Sequence, residues 1–472
     1  MKWAWFLMAA SLGAQPYDLV IGNGRVIDPE SGLDAVRWVG IAGGTVRAVS
    51  ATPIEGRRTI DARGLVVAPG FIDLHEHGQD FEAYTFQARD GVTSSFELEV
   101  GTADVAAWYA AREGKSAIHH GVAIGHIPVR MHVFHDPGGF LPVAAAAHTP
   151  AGGQQIEEMK RLMERGFRQG AVAAGFGMVY TPAASRWEIL EMFRIAARYR
   201  ASCHVHLRGA SSVATGEPEE GLEEVLAAAA VTGAPLQVVH IGASARQHAP
   251  EMLQILTEAR SRGLDVTTEM YPYTAGSTDI SSSVLDPLAD RTDFDYHNIQ
   301  WVATGERLTR ESFLRYRKQG GLVIIFANTE EMVDLVARHP LPMIASDGFG
   351  YAAGNAHPRS AGTFSRILGV YVREKGLMTL PEAIRKMTLM PAQRLEARVP
   401  AMKRKGRLQA GADADITVFD PATVRDRSTY ENGKVPSEGI RYVLVGGVAV
   451  VKDGRLVAGA TPGRGIRAAV SE

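Results

Sequence analysis

The sequence predicts a (β/α)8 TIM-like barrel with a small β-sandwich domain formed by both termini. Three observations lead there. Apolar, strand-like runs alternate with helical segments through the middle of the chain, several of those runs end in His or Asp, and both ends of the chain read as short strands with Gly-rich turns. Repeated β/α units favour a parallel sheet flanked by helices. Carboxylates and imidazoles at the C-terminal ends of parallel strands are how a barrel builds its site.

Residues 1–14 read as a secretory signal peptide: Met1-Lys2, an apolar run from Trp3 to Leu12, then Gly13-Ala14. The run is too short to span a bilayer, and no other segment resembles a transmembrane helix. The expected location is periplasmic or secreted, or cytoplasmic if the leader is not cleaved. Residues 15–69 make the first part of the sandwich, with strands at 18–21, 39–41 and 46–49, and residues 401–472 make the second, with strands at 415–419, 441–445 and 448–451. Residues 70–400 make the barrel, in which 281–321 breaks the alternation and reads as a lid-like insertion.

Within the barrel, Ile156, Met159, Met163 and Phe167 mark one helical face, and Ile189, Leu190, Phe193 and Ala197 another. Thr379-Leu-Pro-Glu382 reads as a capping box opening a late helix. The formal net charge of −2, without a basic patch bearing aromatics, argues against nucleic-acid binding. Cys203 is the sole cysteine, so no intrachain disulfide exists. It reads as a small core residue.

The site begins with APGFIDLHEH at 68–77, an apolar strand ending in His75-x-His77. Residues two apart on a strand share a face, so both imidazoles emerge together. Three further runs end in His206, His240 and Asp347. Continuous apolar runs bounded by turn signals suit strands buried on both faces of a parallel sheet. A divalent metal held by His75, His77, His206 and His240 would acidify a water to a pKa of about 7. Asp347 would take its proton and pass it to a leaving group. His204 points the same way as His206, one layer deeper, and is expected to pack or orient ligands. His126 reads either as a hydrogen-bonding partner of a ligand or substrate or as a structural residue. His119 and His120 read as surface residues in a helix-to-strand connection.

Over almost the whole chain after the leader, the pattern resembles the amidohydrolase superfamily, and within it the D-aminoacylase (N-acyl-D-amino-acid deacylase) family. The motifs that carry the resemblance include PGFIDLHEHGQD, DGVTS, GHIPVR, HVHLR, VVHIGAS and ASDGFG. More specific to the deacylase branch are YPYTAGST, HPRSAGTFSR and RKMTLMPA. The resemblance implies that His75, His77, His206 and His240 are metal ligands and that Asp347 is the catalytic base and acid as well as a metal ligand. It implies that Arg359, in His357-Pro358-Arg359, binds the substrate's α-carboxylate, a role that suits a guanidinium fork, with His357 a further substrate-binding residue. Tyr273, or else Tyr271, resembles a substrate-contacting tyrosine.

Two departures stand out. The family usually places a Cys ligand after the second strand, where this chain has Phe96-Glu97-Leu98-Glu99-Val100-Gly101. Glu97 and Glu99 share one face of a regular strand. Glu99, nearer its end, is the expected replacement ligand, with Glu97 second, and a bridging carboxylate would favour two metals over one. The Lys that the family often places two residues after the histidine matching His240 is here Gly242. No Lys ends the run at 170–180, which argues against a carboxylated-lysine site of the hydantoinase and dihydroorotase kind.

The expected function is metal-dependent hydrolysis of N-acyl amino acids, of D configuration by the resemblance, with Zn²⁺ as cofactor (one or two ions) and a small-molecule N-acyl amino acid as partner. Oligomeric state is left open by the sequence. Hydrolysis of dipeptides or cyclic amides at the same site, and a non-catalytic exported binding protein on this scaffold, are the alternatives.

Overall fold

The computed structural model describes residues 17–210 and 217–470. The 1–14 leader lies outside the described residues. The centre of the chain forms eight parallel strands: β1 Phe71–Asp73, β2 Val92–Thr102, β3 His119–Gly125, β4 Ala174–Gly177, β5 Cys203–His206, β6 Leu236–Val238, β7 Val266–Met270 and β8 Pro342–Ile344. Each pairs with its sequence neighbour. The ring closes through main-chain contacts just beyond β1 and β8. Asp347 N donates to His75 O at 2.7 Å, and His77 N to Gly348 O at 2.8 Å.

Helices surround the strands because their apolar stripes match the sheet's outer face. On Gly153–Arg168 the buried face contains Ile156, Met159, Met163 and Phe167. On Arg186–Arg198, Ile189 and Phe193 are buried with Met192, Ile195 and Ala196, while Leu190 and Ala197 are half-buried. Side-chain caps from Asp80, Asp104, Ser185, Thr329 and Thr379 satisfy first-turn amides. Thr379 accepts from Glu382 N, but the Glu382 carboxylate turns to Lys386 at 3.7 Å instead of completing a capping box.

The two ends of the chain meet in one nine-stranded sheet, where Val66–Pro69 pairs antiparallel with Ile416–Phe419. The 68–77 run is therefore divided. Ala68 and Pro69 belong to this sheet and Phe71–Asp73 to the barrel, with the chain stepping between them at Gly70. A Cβ at Gly70 would lie 2.2 Å from Thr93 Oγ1, so only glycine permits the step.

The irregular stretch is wider than 281–321. Ala275–Asp279, Ile299–Trp301 and Leu322–Phe326 form a three-stranded antiparallel sheet with the helix Arg310–Gln319. Its Ile280, Leu285, Leu288 and Phe313 share one apolar core with Val100, Ile127 and Tyr180 of the barrel.

His119 and His120 are buried on β3, not at the surface. The C-terminal tail covers them: Ile466 N donates to His120 O at 2.7 Å, and Arg464 N donates to His119 Nδ1 at 3.1 Å. Reading outward from a helix end could not foresee a tail returning from more than three hundred residues away. Cys203 is buried in the core. Among the described residues no helix is long and apolar enough to cross a membrane.

Candidate metal centre

The C-terminal strand ends bring His75, His77, Glu99, His206, His240 and Asp347 into one buried cluster. Two groups of ligand atoms, His75/His77/Glu99/Asp347 and Glu99/His206/His240, each lie within 4.8 Å of one another. Glu99 belongs to both. Its Oε2 is 2.8 Å from His75 Nε2 and 3.3 Å from His240 Nε2, and its Oε1 is 3.2 Å from His206 Nδ1. Asp347 Oδ1 sits 3.3 Å from Nε2 of both His75 and His77.

Local backbone explains why Glu99 reaches the centre. The β2–β3 register shifts between Glu97 and Thr102, so the end of β2 does not follow a regular ladder. Close packing allows this: a Cβ on Gly175 of β4 would lie 2.3 Å from Glu99 O. Glu97 stands one step back. Its Oε2 is 2.6 Å from His77 Nδ1, and its Oε1 accepts from Val100 N at 3.0 Å and Gly101 N at 3.3 Å. It orients His77 and is absent from both ligand groups.

The electrostatics suit a cation. Burial disfavours a charged His77, but Glu97 and Asp347 outweigh it and hold the imidazole up at about 10. Burial is likewise overcome at His75, which Asp347, Glu99 and Glu269 raise well above the usual histidine range. Glu99 and Asp347 are held well below the usual carboxylate range despite burial, Glu99 by His206 and His75, Asp347 by Arg359 and His75. Burial and His206 lower His240. The cluster thus draws positive charge onto His75 and His77, and a divalent cation meets the same demand while displacing protons. The mixed imidazole and carboxylate donors, converging without a thiolate, fit Zn²⁺ or another first-row divalent ion.

A cavity opens above the cluster, lined by His77, Glu99, His206, His240, Asp347 and Tyr271 among others. Tyr271 stands beside the cluster, its ring 6.3 Å from that of His240. Tyr273 also lines the cavity, but its hydroxyl is turned to Asp426 at 3.5 Å and its ring to Arg366. The geometry thus places Tyr271, the second choice from sequence, nearer the centre.

Arg359 and His357 do not form the cavity wall. Arg359 is buried at the start of the helix Arg359–Arg366, its Nη2 3.0 Å from Asp347 Oδ2 and its guanidinium 4.4 Å from the Tyr271 ring. It acts on Asp347 directly. His357 is a brace: its Nε2 bonds Ala275 O at 3.0 Å and its Nδ1 accepts from Arg359 N at 3.1 Å. His126 is buried against Glu188 at 2.7 Å, and His204 against Ser202 at 3.0 Å, so both brace the barrel away from the cavity.

Sequence reasoning missed Arg246, Tyr180, Asn328 and Phe140 on the cavity wall. Tyr180 follows β4 and packs edge-on to His206 at 5.2 Å. Arg246 lies two residues beyond the VVHIGAS motif, a signal that was available.

Fold and donor set together define the class: a (β/α)8 barrel whose C-terminal strand ends build a centre for a divalent cation. The chain belongs to the amidohydrolase family, whose model matches residues 128–451. The N-acyl-D-glutamate deacylase of Alcaligenes xylosoxydans xylosoxydans is 31% identical, with 92% of this chain and 93% of that enzyme covered. The D-aminoacylase of the same organism is 29% identical, with 93% and 95% covered. Among solved structures, the N-acyl-D-glutamate deacylase from Bordetella bronchiseptica, complexed with zinc and a phosphonate mimic of the tetrahedral intermediate, matches with a TM-score of 0.81. It is 26% identical, with 96% of this chain and 100% of that one covered.

Proposed function

We propose that this protein is a metal-dependent amidohydrolase that cleaves the amide bond of N-acyl-D-amino acids, with zinc as its cation. The observation that carries the reading is the buried Glu99 carboxylate shared between two convergent donor groups. Likeness to deacylases over nearly the whole chain supports the substrate class and its configuration.

His75, His77 and Asp347 would hold one ion and His206 and His240 a second, with Glu99 common to both. A bound divalent ion supplies Lewis acidity, lowering the pKa of a water to about 7 and polarising an acyl carbonyl. The remaining steps belong to the chain. Asp347, kept ionised by Arg359, accepts the attacking water's proton on a carboxylate oxygen and delivers it to the leaving amine. Arg246 and Asn328 on the cavity wall supply a cation and an amide suited to the substrate's carboxylate. Val100, Phe140, Val284 and Ile325 give the same cavity an apolar side for the acyl group or side chain. We further propose export through the 1–14 leader, which N-terminal sequencing of protein from the periplasmic fraction would check.

Zinc-loaded protein should release free amino acid from N-acetyl-D-glutamate or N-acetyl-D-methionine faster than from the L enantiomers. Absence of turnover on every N-acyl amino acid would overturn the function. Faster turnover of the L forms would overturn the configuration.

A further inference from the structure

Glu269 lies two residues before the YPYTAGST motif and Arg394 two residues after RKMTLMPA, and the proposed chemistry uses neither. The structure joins them. Arg394, on the helix Leu389–Leu395, is held by both oxygens of Asp265 at 2.8 and 2.9 Å, and its Nη1 reaches Thr267 Oγ1 at 3.1 Å. The Thr267 hydroxyl donates to Gln237 Oε1. Gln237 Nε2 donates to Glu269 Oε2 at 2.8 Å, and Glu269 Oε1 lies 2.6 Å from His75 Nδ1.

Thr267 and Glu269 share a face of β7, and Gln237 is the register partner of Thr267 on β6. The contacts therefore form a column through the barrel, running from Asp265, whose side chain is 61% exposed, to a candidate metal ligand. Barrel interiors are normally filled by bulky aliphatic side chains. Fully buried Gln237 and nearly fully buried Glu269 make this column a polar exception, one tolerated only when its members are hydrogen-bonded.

The column has a direction. A guanidinium can only donate and a carboxylate can only accept, so Gln237 gives its nitrogen to Glu269 and its oxygen to the Thr267 hydroxyl, which itself accepts from Arg394. Glu269 then has one oxygen engaged and the other open as an acceptor for His75 Nδ1–H. The tautomer that follows leaves the Nε2 lone pair pointing at Glu99, His77 and Asp347. His77 reaches the same state differently, through Glu97 and main-chain amides.

We propose that Glu269, Gln237, Thr267 and Arg394 are positioning residues that fix the ring and tautomer of His75 for a divalent cation, so that affinity at this ligand is set from the far end of the barrel. The proposal rests on the metal reading above. Loss of a partner that orients a ligating histidine typically costs about 10–100-fold in affinity.

The test uses full-length protein and Zn²⁺ or Co²⁺ alone. Thr267→Val keeps the shape and removes the link; Thr267→Ser restores it; Gln237→Leu removes the donor to Glu269. Chelator competition gives affinity, the Co²⁺ ligand-field spectrum reports ligand geometry, and the melting temperature of metal-free protein reports structure. The expected result is about tenfold weaker Zn²⁺ binding in Thr267→Val with an altered Co²⁺ spectrum, a larger loss in Gln237→Leu, and recovery in Thr267→Ser. Wild-type affinity and spectrum in Thr267→Val, whatever its melting temperature, would overturn the column's role and leave the metal reading standing. A wild-type protein that binds neither ion would overturn both.

Discussion

Replacing Glu99 by Gln tests the metal centre most directly, because that carboxylate is the atom set common to both donor groups. The substitution keeps volume and removes one buried negative charge. Two unit charges 4 Å apart at an effective dielectric of 20 attract by about 4 kcal/mol, and a dication doubles this to about 8 kcal/mol. If the glutamine carbonyl recovers half as a neutral ligand, about 4 kcal/mol is lost, or roughly a thousandfold in affinity. Glu97→Gln is the matched control. Of the candidate ligands it touches only His77, at the outward nitrogen, so its cost should stay nearer the tenfold typical of an orienting partner. The assay is elemental analysis of metal per chain after dialysis against a series of buffered Zn²⁺ concentrations. Wild type should approach two ions, Glu99→Gln should lose occupancy at both positions, and Glu97→Gln should keep its stoichiometry at higher Zn²⁺. Unchanged binding in Glu99→Gln, or loss confined to Glu97→Gln, would refute the assignment.

Asp347→Asn should lower kcat on an N-acetyl-D-amino acid by about 10²–10⁴, the usual worth of a positioned acid–base group, with an unaltered circular dichroism spectrum. Arg246→Met should raise KM for the same substrate about 10–100-fold with a smaller change in kcat, as expected if a charged hydrogen bond of about 1.5–3 kcal/mol is lost; an unchanged KM would remove Arg246 from the binding site. Burial raises Asp90 to about 7 against the hydrogen bonds of Ser365, Ser437 and Phe364 N, so its folded pKa lies above the unfolded value of about 3.9. The stability it contributes is therefore fully present below about pH 4 and is lost as pH rises through 7. Urea unfolding of wild type should show a decline from pH 5 to pH 8 that is smaller in Asp90→Asn. Gly175→Ala would place a Cβ 2.3 Å from Glu99 O and 2.6 Å from Leu98 O, so it should cost about 1–3 kcal/mol by overpacking and reduce metal per chain; a variant with full stability and full metal would show that β2 can yield without moving Glu99.

The barrel and its histidines were legible because they rest on local rules. A parallel strand buried on both faces reads as an apolar run, and the residue that ends it reads as a site. The second-strand carboxylates were legible for the same reason, as charges where an interior strand should have none. Choosing Glu99 over Glu97 used position along the strand, and the register shift that separates their environments left no local mark. The substrate side was less legible. HPRS drew attention to Arg359 and His357, yet the helix beginning at Arg359 turns the guanidinium inward to Asp347. Arg246 was passed over because its place on the wall depends on the short helix Ile241–Ala245 and on a backbone φ of 48° at Arg246 itself. The lid-like stretch was located by its broken alternation, but its antiparallel pairing of Ala275–Asp279 with Leu322–Phe326 joins segments that look like ordinary barrel strands.

Strain is concentrated at this cavity. Among the described residues seven non-glycine positions have positive φ, and three of them, His240 at 30°, Arg246 at 48° and Asp347 at 53°, line the cavity. Such conformations cost about 1–3 kcal/mol each and persist only where the surroundings over-determine them. At Asp347 the surroundings are the barrel's own closure: its amide bonds His75 O, and Ser346 N bonds Asp73 Oδ1 at 3.0 Å. The seam between β1 and β8 is therefore made by the backbones of candidate ligands and their neighbours. A cation drawing His75, His77 and Asp347 together would act across the same seam that the main chain closes. Binding chemistry and barrel closure are in this sense one structure, and glycine could relax the backbone at His240 or Asp347 only by deleting a side chain of the cluster.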